Sequence, residues 1–439
     1  MPLGSGKGSN LGGDSDGDSG GDSDGDSGGR SDGESDGDPD GNSDGDSDGQ
    51  TLEMLGIAVI DSFMKLKLLM FLAKVCRRIS LRGPVSGWVI ASVLILGVFV
   101  LPAFAVPASG SKFIDFPTGQ SVGKLYDTNI HSTGEWECGR PLGEARGRVR
   151  LPASARVYLN LNWYGASHLD FLDRLAPDDL SFLDMSNGGR GFETSDAEFV
   201  RLSRLTGLRG LDLESTDAAV LAMTAIGKLP ELESLNVGTT AVTSGDLACL
   251  SKMKKLQVLI ISHNTLSDQA LTYIKDLKDL RVLYGNRCGF TSAGLANLAK
   301  LTNLYRLRLG TSAIDDAGVE KLPPMPHLTE LGMEQCKLSD RSFAALRKFP
   351  ALTELNLDDA RFSPAGLKHL ACLKKLMIVN ISGTKVKVAD LGVLRELPKV
   401  FSVFIRADES DYKSICKAFP KINFTPTGLR SKVYTDVFR

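Results

Sequence analysis

From residue 208 onward, leucine and other apolar residues return with a period of 24. Units open at Leu208, Leu232, Leu256, Leu280, Leu304, Leu328, Leu352, Leu376 and Val400, with no slip in register. Upstream, Leu180 opens a unit stretched to 28 residues and Arg156 a degenerate one. The array therefore holds roughly eleven units, with atypical ends as capping requires. Within each unit an LxxLxL stretch alternates with period two, the pattern of a short strand that buries its leucines on one side. The x positions then point to the other side.

Eight residues after each opening position stands a small, mostly polar residue: Thr216, Thr240, Asn264, Cys288, Ser312, Cys336, Ala360 and Thr384. The chain must turn there, and a short polar side chain can bond the backbone groups that the turn leaves unpaired. An apolar residue follows (Val242, Leu266, Phe290, Ile314, Leu338, Phe362), and then Thr243, Ser267, Thr291, Asp315, Ser339 or Ser363. These last suit helix N-caps, and Pro364 stands at the first helical position, where a missing N–H costs nothing. Leu367, Leu370 and Leu373 then offer one apolar stripe. A unit this small cannot bury that stripe alone, so neighbouring units must stack.

The pattern, LxxLxLxx(N/C/T) followed by T-x-(V/I)-(T/S)-D-x-G-L, resembles the leucine-rich repeat family over about residues 156–405, most closely its bacterial 24-residue type. The resemblance implies an α/β fold, a curved leucine-rich-repeat solenoid with a parallel concave sheet and short convex helices. It also implies a scaffold that binds a protein partner rather than an enzyme. Gly285 replaces a core leucine and the last unit lacks its usual turn, so the arc is expected to bend locally there. Repeats of F-box substrate receptors look similar, but no F-box precedes these, which makes a substrate-receptor subunit of an enzyme complex the less favoured reading.

Strands stack about 4.8 Å apart, so the array predicts a concave sheet on the order of 50 Å long. The register turns Tyr284, Arg306, Arg308, Glu330, Glu334, Glu354, Asn356, Asp358 and Asn380 outward on it. Two arginines on one strand face acids on the next strands, which predicts a mixed-charge contact patch with Tyr284 as an aromatic anchor. Val258, Ile260 and Ile378 project to the same face and are expected to add the exposed apolar surface that favours contact. Cys288 and Cys336 lie two repeats apart, about 9.6 Å by strand spacing, too far for a disulfide. They are expected to be small buried residues of the turn.

The net charge of -2 conceals an asymmetry. Residues 1–50 carry 13 Asp and 1 Glu against Lys7 and Arg30, so the remainder of the chain is positive by about 10. Gly, Ser and Asp cannot bury apolar surface, so this tail is expected to be disordered. Its composition also resembles serine–aspartate stalks of bacterial surface proteins, which keeps a structural or adhesive envelope component as an alternative. An EF-hand loop starting at Asp14 would need Gly and Glu where Ser19 and Gly25 stand. A basic cluster, Lys74, Arg77, Arg78 and Arg82, precedes an apolar run from Trp88 to Leu101 and then Ala103-Phe104-Ala105. That order is the order of a secretory signal peptide. A start at Met70 would make it N-terminal; with Met1 as the start, the run is a single-helix membrane anchor. Positive flanks stay inside, so both readings place the repeats outside the cytoplasm.

These readings divide the chain into the tail 1–50, a basic amphipathic segment 51–84, a signal peptide or anchor 85–106, a linker and N-terminal cap 107–155, repeats 156–407 and a C-terminal cap 408–439. Residues 106–439 are positive by about 6, too mild over that length to suggest nucleic acid. Seven Cys show no CxxC, and the five His show no metal spacing, so no metal and no cofactor is expected. Gly119, Gly123 and Lys124 look like a phosphate loop, but one residue is missing between the glycines and Leu125 replaces the Ser or Thr.

Overall fold

The computed structural model describes residues 110–130, 136–186 and 194–426. Every described residue belongs to the compact unit Pro102–Arg439. The acidic tail, the basic segment and the apolar run 88–101 lie outside the described residues. Among those described, no helix is long and apolar enough to cross a membrane.

The strands are β1 (Ser111–Asp115), β2 (Gly123–Ile130), β3 (Trp136–Glu144), β4 (Arg148–Pro152), β5 (Val157–Leu161), β6 (Phe182–Asp184), β7 (Gly210–Asp212), β8 (Ser234–Asn236), β9 (Val258–Ile260), β10 (Val282–Tyr284), β11 (Arg306–Arg308), β12 (Glu330–Gly332), β13 (Glu354–Asn356), β14 (Ile378–Lys385), β15 (Ser402–Arg406) and β16 (Asn423–Pro426). One sheet of 14 strands takes all but β1 and β4. From β5 to β16 each strand lies parallel to the next, and the register steps by whole repeats, Val282 to Arg306 to Glu330 to Glu354 to Ile378. Short α-helices and 3-10 turns alternate with the strands. This is the leucine-rich-repeat solenoid that the period predicts.

The leucines of the LxxLxL stretch, such as Leu280, Leu283, Leu304, Leu307 and Leu309, are fully buried. The place left by Gly285 in this ladder is taken by the buried Phe290 ring, whose Cε2 lies 2.7 Å from where a Cβ on Gly285 would stand. At the turn, Asn264 donates to the Val237 and Ile261 carbonyls and accepts from Thr240 N–H, while the Cys288 thiol donates to the Ile261 carbonyl at 3.3 Å. Thr216, Thr240, Ser312 and Thr384 bond backbone carbonyls in the same way. Cys288 and Cys336 are free and buried, and burial pushes both thiols up to about 11. Just before each turn residue the backbone enters the left-handed region, at Ser215, Thr239, His263, Arg287, Thr311, Gln335 and Asp359, with φ between 54° and 64°.

On the helical side the capping differs in detail from the sequence expectation. Ser267, Asp315, Ser339 and Ser363 stand at N-caps, but Thr243 and Thr291 precede 3-10 turns capped by Gly245 and Ala293. The capping also crosses between repeats. The Asp268 carboxylate accepts from Thr291 N–H and hydroxyl, Asp316 from those of Ser339, and Asp340 from those of Ser363. Each aspartate of the D-x-G-L stretch thus holds the start of the following repeat's helical segment. In that following repeat, the glycine three residues after Thr291 or Ser363 has a physical reason: a Cβ on Gly294 would stand 2.1 Å from Asp268 Oδ1, and one on Gly366 2.0 Å from Asp340 Oδ1.

Both ends carry elements that the 24-residue period does not mark. The irregular segment before the repeats contains four strands. The antiparallel β2–β3 pair adds to β5 and covers the first edge of the sheet, and β1 with β4 forms a separate two-stranded sheet. Gly123 and Lys124 open β2, where a phosphate loop would need a turn into a helix. At the other end, helix Glu409–Ala418 leads into β16, a further parallel strand inside the expected cap. Ser402 pairs with Asn423, a step of 21 rather than 24, and Pro426 ends the strand, which hides it from a search for the period.

Candidate protein-binding face

Alternation along each strand sends one set of residues into the core and the other to the opposite, outer face. The repeat register then aligns outer residues in rows across the sheet. Tyr284 stands beside Arg308, Arg306 beside Glu330, Glu330 beside Glu354, and Asn356 beside Asn380. Seven of the nine residues of the expected patch therefore fall on one contiguous region spanning β10 to β14, and Glu334 and Asp358 stand two residues past the ends of β12 and β13.

Their contacts are uneven. Arg306 and Arg308, two residues apart on β11, both bond the Glu330 carboxylate, Arg306 Nε at 3.3 Å and Arg308 through its own Nε. Glu330 is only 7% exposed, so this ion pair closes the middle of the face rather than reaching outward. The Arg308 guanidinium lies 4.8 Å from the Tyr284 ring centre, and Arg306 Nη1 approaches the Tyr284 hydroxyl at 3.5 Å. Burial, and then the Glu330 charge, raise the Tyr284 phenol above its ordinary range. Asn380 is buried, and its Oδ1 accepts from Ser382 N–H and hydroxyl; Asp358 accepts from the same hydroxyl at 2.6 Å.

Glu334 and Glu354 behave differently. Among the described residues no basic side chain lies within ion-pair distance of either. Asn356 Nδ2 reaches Glu334 at 3.4 Å. Burial raises both carboxyls above the ordinary range, and the Glu330 charge adds to it at Glu354. Between them lies a slot of about 30 Å³, floored by Gly332, which has no side chain, and lined also by Arg308 and Glu330. That volume holds one or two small polar groups, on the scale of a water molecule or an ammonium.

The expected apolar contribution does not materialise. Val258 is 3% exposed, and Ile260 and Ile378 are half-buried. Val258 lies between Ser234 and Val282 on adjacent strands, which cover it from both sides. The exposed large apolar residues lie elsewhere, among them Trp163, Val220, Met377 and Phe401.

A second outer-face group lies at the start of the array. Asp184 Oδ2 accepts from the Tyr158 hydroxyl at 2.6 Å and from Asn160 at 2.8 Å. Asn236 Nδ2 bridges Asp212 and Glu214 at 3.1 and 3.0 Å. Burial, then the Asp184 charge, push the Asp212 carboxyl up to about 7. The same register that identifies Arg306 also turns Asp184 and Asp212 outward, so the signal was present in the second and third units. Among the described residues no group of three or more His, Cys, Asp or Glu is placed to hold a metal ion.

A family model described as a leucine-rich repeat region matches residues 179–434. No curated protein matches the chain. Among solved structures, internalin C2 of Listeria monocytogenes is similar at 24% identity and a TM-score of 0.38, covering 46% of this chain and 81% of its own. Internalin F of the same organism is similar at 16% identity and a TM-score of 0.32, covering 58% of this chain and 88% of its own.

Proposed function

Since the chain belongs to the leucine-rich repeat family, we propose that it is an exported or membrane-anchored scaffold that binds a partner protein through the outer face of β10 to β14. The observation that carries this reading is the pair Glu334 and Glu354, half-buried carboxylates that flank the Gly332 slot and form no ion pair with Arg308, which lines the same slot and is bonded to Glu330. A carboxylate loses hydration on burial, and only a partner charge or hydrogen bonds restore what is lost. A lysine or arginine tip from a bound protein supplies both. Tyr284, held by Arg308, gives an adjoining aromatic surface. Binding rather than catalysis is the role this face suits. Export rests on the basic cluster, the apolar run and the Ala103-Phe104-Ala105 stretch.

Charge reversal of Arg306 or Arg308 is a poor test, because it strands the buried Glu330. Glu334→Lys and Glu354→Lys leave that ion pair intact. Affinity purification of the native full chain after chemical cross-linking is expected to recover one stoichiometric protein partner, with cross-links to this face. Both variants are expected to weaken its capture at least tenfold while leaving the unfolding midpoint unchanged. A partner retained equally by both variants refutes the assignment of the face. Sequencing the mature N-terminus separates a secreted form starting at Val106 from an anchored one starting near Met1.

A further inference from the structure

We propose that a groove along the entry edge of the same sheet binds a neutral oligosaccharide. The groove has a volume of about 390 Å³ and is separate from the Gly332 slot. Two rows of side chains line it, one residue per repeat in each. Glu233, Gln257, Arg281 and Tyr305 stand one residue ahead of β8 to β11, and Lys255, Asp279, Asn303 and His327 stand three residues ahead of β9 to β12.

Five properties narrow the ligand. The volume falls within the range of small-ligand sites, about 300–1,000 Å³. Its walls are predominantly polar, which disfavours an apolar peptide or lipid. Its charges balance, Glu233 and Asp279 against Lys255 and Arg281, and Glu233 and Lys255 are already bonded to Arg209 and Glu231. A strongly charged ligand therefore gains little. Among the described residues, the Gln257 amide, the Asp279 carboxylate and the Tyr305 hydroxyl make no side-chain hydrogen bond. Planar amides and carboxylates suit adjacent sugar hydroxyls, which both donate and accept.

The fifth property is spacing. Neighbouring strands lie about 4.8 Å apart, close to the length of one pyranose ring in a linked chain. Successive rings lying across the strands would each meet one side chain from each row. Tyr305 and His327 stack with ring centres 5.9 Å apart, an aromatic wall for the C–H face of a terminal ring.

The test is calorimetric titration of the full-length protein with cellotetraose and N-acetylchitotetraose as neutral probes, tetragalacturonate as an acidic probe and a Gly/Ser tetrapeptide as a peptide probe. At least one neutral tetrasaccharide is expected to bind with one-to-one stoichiometry. Gln257→Ala and Tyr305→Ala are each expected to weaken it at least tenfold, with thermal unfolding unchanged, and Glu354→Lys on the outer face is expected to leave it untouched. The inference is overturned if neither neutral probe binds, if the acidic probe or the peptide binds more tightly, or if both groove variants bind as the parent does. Loss of binding in Glu354→Lys overturns it as well, because the sugar would then sit on the other face. The protein-binding reading stands or falls separately, on cross-linking to Glu334 and Glu354.

Discussion

Replacing Asp212 by asparagine is expected to stabilise the protein, and only above a defined pH. Asp212 Oδ1 accepts from Glu214 N–H at 2.9 Å and its Oδ2 from Asn236, yet burial and the Asp184 charge outweigh these bonds and move the carboxyl from 3.8 to about 7. The sign follows from proton linkage. The unfolded chain releases this proton near its ordinary value, whereas the folded chain holds it until near pH 7. Stability from this group is therefore full below about pH 4 and is lost as the pH rises toward 7, after which the loss is constant. One unit is worth about 1.4 kcal/mol, so the full shift sets a ceiling on the order of 4 kcal/mol, and water on the open side of the carboxylate reduces it to roughly 2–4. Asparagine keeps an acceptor for Glu214 N–H and carries no charge toward Asp184. Urea unfolding at pH 4.5, 6 and 8 should show the variant ahead by roughly 2–4 kcal/mol at pH 8 and level with the parent near pH 4. A difference that stays flat with pH, or that grows toward acid, refutes the claim that a buried like-charge pair strains this end of the outer face.

Two further substitutions probe how the repeats are joined. Gly294→Ala puts a Cβ 2.1 Å from Asp268 Oδ1 and must displace the carboxylate that caps the next helical segment, so a loss of about 1–3 kcal/mol is expected in chemical denaturation, larger than at Gly392, where a Cβ meets nothing within 4 Å. Equal effects at the two glycines would show that the aspartate adjusts freely. Thr239 holds a β-branched side chain at φ 54°, so Thr239→Asn is expected to raise stability by about 0.5–1 kcal/mol, read as a shift in the unfolding midpoint. No gain there would mean that the turn carries little strain.

The period was enough to place the strands, the buried leucines, the turn residues and the outer rows, because each of these depends on spacing within one unit. What it could not supply depends on a neighbour. Ser339 reads locally as a helix cap, and it does stand at one, but its hydroxyl serves Asp316 of the preceding repeat. Val258 reads as exposed because its direction is outward, and it is buried because the flanking strands carry Ser234 and Val282 at the same height. The same distinction sorts the candidate site. Arg306 and Arg308 point outward, but β12 sets Glu330 beside them and draws both guanidinium groups down onto it. Glu354 has the same direction, yet its neighbours in the row are Glu330, already bonded to two arginines, and Ile378. Register decides which way a side chain leaves the sheet, and the residues one strand away on either side decide whether it remains free to bind. On that criterion Glu354, which a count of outward charges ranks no higher than the arginines, is the residue on which the proposed face depends.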